Sequence, residues 1–160
     1  MRPWTVATVI VALSFSTSTF AQQRSLKEQI VGTWKIQSVT EDYGGGKVEN
    51  SPFGPNVTGA FTFDPDGNFS AVIIGADLPN PSKKAQESDR QVVAYFGKYT
   101  VDDAANTVIY TAERATIPAF DGLARKASVT MSGDGFTQKS ASVTGPQGTF
   151  TPTLVFKRAH

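Results

Sequence analysis

The chain has 160 residues, no cysteine, and one histidine, which is the last residue; 15 Lys and Arg stand against 14 Asp and Glu. Without cysteine there is no disulfide, thiolate metal site, thiol nucleophile or lipid-modified cysteine, and His160 alone supplies no imidazole base on a rigid element and no His-based zinc or iron site. The near-balance of charge, with no basic cluster larger than a pair such as Lys83-Lys84, argues against nucleic acid or an anionic membrane as the main partner.

The first 21 residues (MRPWTVATVIVALSFSTSTFA) have a basic start at Arg2, an apolar run from Val6 to Phe15 and a small-residue exit, Thr19-Phe20-Ala21. That is the layout of a secretory signal peptide, with a cut expected after Ala21. As an uncleaved anchor the run is short, because a spanning helix needs about 20 apolar residues and Ser and Thr dilute this one. Removing these 21 residues, Arg2 among them, leaves 139 residues with 14 basic and 14 acidic side chains. Such a chain is long enough for one domain, residues 22–160, with a real core. It is expected in the periplasm or outside the cell, with no integral membrane segment once the signal is gone.

From there the sequence reads as short β-type runs between strong turn signals. Thr33 to Tyr43 is closed by Gly44-Gly45-Gly46, and a loop punctuated by Pro52, Gly54, Pro55 and Asn56 follows. Val57 to Phe63 and Asn68 to Ile74 flank Asp64-Pro65-Asp66-Gly67, where proline fixes φ and glycine accepts a positive one, as a tight hairpin requires. The same run lacks the later ligands and the bidentate Glu of a calcium loop. Tyr95 to Val101 leads through Asp102–Asn106 into Thr107 to Thr116; Leu123 to Met131 turns at Ser132–Gly135 into Phe136 to Thr144; Gly145-Pro146-Gln147-Gly148 returns the chain into Thr149 to Arg158.

One stretch breaks this pattern. Gly75 to Gln91 is polar, contains Pro79 and Pro81, and is too long for an ordinary hairpin loop. Ser82 is placed to cap a short helix from Lys83 to about Ala94, with Ala85, Val92, Val93 and Phe96 as an apolar face; the alternative is an ordered coil. The segment is a candidate lid.

Eight sequential antiparallel strands in one small all-β domain predict an up-and-down barrel, because closure removes exposed edges. Alternation gives each strand one inner face: Phe150, Leu154 and Phe156 in the last, and Val93, Tyr95, Tyr99 and Val101 in the fourth. An eight-stranded barrel is either filled by its side chains or holds one small ligand.

The first strand opens with Ile30-Val31-Gly32-Thr33-Trp34, an apolar lead-in and Gly-x-Trp. Taken in order, GTWKIQS, PFGPNVTGAFTFDPDGNFSAVI and AYFGKYTVD resemble the lipocalin-like domain family of short, mostly bacterial, calycin-type barrels. The resemblance implies that Trp34 plugs the closed end and that Arg158, in phase with Leu154 and Phe156, lies across it as a structural lid. It covers residues 30–103 most closely. Members of the family often carry histidines where this chain has Val108-Ile109-Tyr110-Thr111, so any polar site built on them has no counterpart here. The resemblance implies a barrel and names no substrate.

Candidate ligand-binding residues follow from the alternation. Tyr95 and Tyr99 sit two inward positions apart with Gly97 between them, either as ordinary core or with hydroxyls lining a cavity that orients an apolar ligand. Arg114 is in phase with Tyr110 and Ala112, and Arg125 with Ala127, Val129 and Met131. They are either exposed at the rim or inward, where two guanidinium groups require an anionic partner such as a ligand carboxylate. No residue is assigned as catalytic, and no metal or cofactor is expected.

Three functions remain open. The first is an exported barrel that binds a small, mostly hydrophobic and possibly carboxylate-bearing ligand. The second is an isomerase or cyclase that works by positioning its substrate, with Glu113 as base and Tyr95 or Tyr99 as acid. The third is a filled barrel acting through its outer surface.

Overall fold

The computed structural model describes residues 24–51, 53–75, 92–145 and 147–160. A five-residue helix, α1 (Leu26–Ile30), precedes ten strands: β1 (Gly32–Asp42), β2 (Val48–Asn50), β3 (Thr58–Phe63), β4 (Asn68–Ile74), β5 (Val92–Asp102), β6 (Thr107–Ala115), β7 (Ala124–Ser132), β8 (Gly135–Ser140), β9 (Val143–Gly145) and β10 (Gly148–Arg158). Eight of them run antiparallel in the order β1-β3-β4-β5-β6-β7-β8-β10, and β10 pairs back on β1 to close the barrel. The short β2 and β9 extend β1 and β10 at one end. Among the described residues no helix is long and apolar enough to cross a membrane.

The sequence-predicted strands are present, with two differences. The seventh breaks after Ser140, and Val143–Gly145 turns onto the start of β10, Val143 opposite Phe150. The helix expected to run on to Ala94 does not reach it. Val92, Val93 and Ala94 belong to β5, opposite Ile74, Ile73 and Val72 of β4, because a β-branched pair that alternates inward with Tyr95 suits a half-buried strand. The rest of that expected helix or lid, within residues 76–91, lies outside the described residues, as do the expected signal peptide and its cut.

Local chemistry sets the hairpins. In the β3–β4 turn, Asp64 Oδ1 accepts the Asn68 backbone N–H at 2.8 Å and Oδ2 accepts the Asn68 amide at 2.6 Å, while Gly67 takes φ 85°. These hydrogen bonds hold the Asp64 carboxyl below its usual range. The Ser25 capping box starts α1, with Oγ accepting the Glu28 N–H and Glu28 reaching back to the Ser25 N–H. Lys27 N–H donates to Asp103 in the β5–β6 turn, so α1 covers the end of the barrel formed by the start of β1 and the end of β10.

That end is packed solid. Trp34, Phe61, Phe63, Phe136, Phe156, Ile30 and Val108 are fully buried. Phe136 stacks on Phe156 with centroids 4.4 Å apart, and Trp34 meets Phe136 edge-on at 4.8 Å. Offset and edge-to-face contacts of this kind each stabilise by about 0.5–1.5 kcal/mol beyond the burial itself.

The Arg158 guanidinium lies 4.0 Å over the Trp34 ring. It also donates to the carbonyls of Val31 (3.0 Å) and Gln29 (2.6 Å), while Trp34 Nε1–H donates to the Ile30 carbonyl at 2.6 Å. The plug therefore satisfies carbonyls that the end of α1 leaves without an intrahelical partner. Gly32 completes it: its φ is +125°, and a Cβ there would lie 2.7 Å from Arg158 Nη1. The Gly-x-Trp pattern is a consequence of this packing.

Candidate functional site

Toward the opposite end the described residues do not fill the barrel. A cavity of about 250 Å³ opens between the inner faces of the strands. Its walls are mainly apolar, with Val39, Ile73 and Leu154 on the strands and Phe53, Phe120 and Phe150 nearer the mouth. Tyr95 and Tyr110 mark its deep side. Both rest on Phe69, at centroid distances of 5.6 and 5.1 Å, which joins the cavity to the packed aromatic layer beneath.

Polar groups on the wall are few. Tyr110 Oη donates to Gln138 Oε1 at 2.6 Å, and Gln138 Nε2 donates to Ser140 Oγ at 3.4 Å. Gln138 is buried, so this pairing satisfies a group that would be costly to leave alone. The Tyr95 hydroxyl makes no such bond among the described residues. Burial pushes its pKa to about 12, slightly opposed by the charge of Arg125; burial raises Tyr110 well above its ordinary value, with Tyr95 and Tyr99 adding to the rise. Both phenols are neutral hydrogen-bond donors at any physiological pH.

Charge enters from opposed sides. Arg125 on β7 lies opposite Tyr110, and its guanidinium stacks 4.0 Å over the Phe120 ring. Glu41 on β1 also reaches the wall, its carboxylate accepting the Tyr43 hydroxyl at 2.7 Å. That hydrogen bond is the main reason the Tyr43 pKa is raised to about 12.

Of the four candidate ligand-binding residues, the structure brings two together. Tyr95 and Arg125 are on the cavity wall. Tyr99 points inward but sits in the packed half, 4% exposed, with its hydroxyl donating to the Asp64 carbonyl at 2.7 Å. Arg114 does not point inward. Its side chain is 78% exposed and pairs with Asp121 at 3.0 Å. The reason is a bulge. Gly97 lies opposite Ala112 but Phe96 lies opposite Arg114, so Glu113 is an extra residue in β6 and reverses the phase after it. Glycine is required at position 97 because a Cβ would stand 2.1 Å from the Thr111 carbonyl oxygen and 2.7 Å from the Glu113 nitrogen. Glu113 itself is exposed and absent from the cavity wall.

A second bulge explains a residue that alternation misses. On β1, Ile36 lies opposite Phe156 and Ser38 opposite Val155, leaving Gln37 as the extra residue. Even positions (Trp34, Ile36) face the core before it and odd positions (Val39, Glu41) face inward after it. Gln138 is also missed, although its phase with Phe136 in a short strand was a usable signal.

Residues 31–159 match the lipocalin-like domain family. The chain belongs to that family. A comparison with curated proteins finds no match. Solved structures similar to this lipocalin-like domain include a redesigned β-barrel, with 16% identity and TM-score 0.44 over 85% of this chain and 96% of that one. An uncharacterized protein from Bacteroides eggerthii gives 17% identity and TM-score 0.43 over 81% and 99%. EF1p2_mFAP2b bound to DFHBI gives 16% and 0.44 over 84% and 98%.

Proposed function

We propose that this lipocalin-like domain is an exported carrier or receptor for one small, mostly hydrophobic molecule, held in the cavity above the aromatic core. The observation that carries this reading is the division of the barrel into a solid half and an apolar half-open one. A barrel that acted only through its outer surface would gain stability by filling that space. At about 250 Å³ the cavity lies at the small end of ligand pockets, which run from about 300 Å³ upward, and suits a small ligand. Export is supported by Arg2, the apolar run and the Thr19-Phe20-Ala21 exit.

The isomerase or cyclase reading has lost its base, because Glu113 faces away from the cavity. Of the other wall groups, the Glu41 carboxylate is engaged by the Tyr43 hydroxyl, and the two protonated phenols, the Gln138 amide and the Arg125 guanidinium bind and orient.

Titration with 2-naphthamide, a flat neutral probe, tests the carrier reading by calorimetry. Saturable binding to the native chain and its loss in Leu154→Trp, which fills the cavity from β10, are expected. No binding of this probe or of its carboxylate and ammonium analogues, or equal binding to the filled variant in a folded state, would remove the cavity as the ligand site. Native mass spectrometry of protein from its own source would show any retained ligand, and the mass of the chain would show whether residues 1–21 are removed.

A further inference from the structure

We propose that the cavity selects a small aromatic carboxylate, bound with its carboxylate on Arg125 and the Tyr95 hydroxyl and its ring among the aromatic side chains of the wall. This rests on the reading of the cavity as a ligand site and adds the chemical class and the orientation of what enters it.

The first support is the state of Arg125. Each of the other cations that the structure brings against an aromatic ring has an oxygen partner: Arg158 has the Val31 and Gln29 carbonyls, and Lys47 has Glu49 at 3.2 Å. Arg125 stacks on Phe120, but among the described residues its guanidinium has neither a carboxylate nor a hydrogen-bond acceptor. Stacking occupies the face of the planar group and leaves its N–H edge free, and that edge matches a carboxylate in a two-point contact. Arg114, which differs in being exposed, already has Asp121.

The second support is Tyr95. Each other tyrosine hydroxyl donates a hydrogen bond, Tyr43 to Glu41, Tyr99 to the Asp64 carbonyl and Tyr110 to Gln138. The Tyr95 hydroxyl has no acceptor among the described residues, and its ring shares the wall with Arg125 while packing edge-on to Phe120 at a centroid distance of 6.1 Å. The phenol O–H and the guanidinium edge face one space and neither has an acceptor among the described residues, so the missing group is an acceptor, and the cation beside it favours an anionic one.

The third support is polarity across the mouth. Glu41 stands on β1 and Arg125 on β7, with β8 and β10 between them. An anion is repelled from the first side and attracted to the second, which fixes the end of the ligand that carries it. Phe53, Phe120, Phe150, Tyr95 and Tyr110 give the rest of the space edges and faces suited to a ring.

Three probes of one shape test this: 2-naphthoate, 2-naphthamide and 2-naphthylmethylammonium, titrated into the full domain at fixed ionic strength. The naphthoate is expected to bind at least about tenfold tighter than the amide, as a charge-assisted pair requires, and the ammonium weakest. Arg125→Gln is expected to weaken the naphthoate about tenfold or more and to bring the ratio of naphthoate to amide affinity toward one, and Tyr95→Phe to weaken the naphthoate about threefold to tenfold. Unfolding midpoints of both variants confirm that they are folded. Equal binding of naphthoate and amide, a preference for the ammonium, or an Arg125→Gln variant that keeps the preference would overturn the proposal while leaving the cavity as an apolar site. Failure of all three probes to bind would overturn both readings.

Discussion

The guanidinium of Arg158, at the end of the last barrel strand, lies 4.0 Å above the indole of Trp34, near the start of the first. One contact thus joins the two strands that close the barrel. Because the same guanidinium holds the Val31 and Gln29 carbonyls, it also ties α1 to the end it covers.

Replacing Arg158 with Leu removes the cation–π contact and leaves two carbonyls to water or to no partner. A loss of about 2–4 kcal/mol is expected, read as a lower urea midpoint with unchanged slope. Arg158→Lys keeps the charge but not the two-point donation, and should recover less than half. A Lys variant as stable as the native chain would show that charge alone suffices.

Gly97→Ala places a methyl group against the Thr111 carbonyl and the Glu113 nitrogen. It cannot be accommodated without undoing the bulge in β6, so a loss of about 3 kcal/mol or more is expected, at the upper end of overpacking costs. Gly45, whose Cβ position is open, is the control. Gly45→Asn, which tolerates a positive φ, should shift the melting temperature little.

Tyr110 and Gln138 form a pair whose value is best read by a double-mutant cycle. Tyr110→Phe leaves the buried Gln138 oxygen without its donor and should cost about 1–3 kcal/mol, as should Gln138→Leu on its own. The double variant should cost clearly less than the sum of the two. Strict additivity would mean that the 2.6 Å bond contributes nothing.

The four tyrosines predict alkaline behaviour. Burial holds Tyr95 at about 12 and raises Tyr99 and Tyr110, while hydrogen bonding to Glu41 holds Tyr43 at about 12. Unfolded tyrosine titrates near 10, so between pH 10 and 12 the native chain binds more protons than the unfolded one. Stability from these groups is full below pH 10 and falls as pH rises toward 12. Absorbance of tyrosinate should therefore lag well behind that of the denatured chain. Titration of two or more tyrosines near pH 10 in the folded state would contradict the packing described here.

Arg114→Gln removes only an exposed ion pair with Asp121. It should change stability by no more than about 0.5 kcal/mol and leave probe binding in the cavity untouched, in contrast to Arg125→Gln.

The sequence by itself determined the strands, the hairpins and the plug. The plug formed by Trp34 and Arg158 followed from the resemblance to the lipocalin-like domain family, whereas period-two alternation is local and proline and glycine set the turns within four residues. Arg125 was legible for the same reason: no bulge separates it from Ala127 and Val129. What only the tertiary structure decided is which charges face the cavity. Gln37 and Glu113 are extra residues in β1 and β6, and each reverses the phase of everything after it. Glu41 is turned in and Arg114 is turned out. A bulge arises from the register between two strands as the barrel closes, so it is a property of the pair, and counting along either strand alone cannot reveal it.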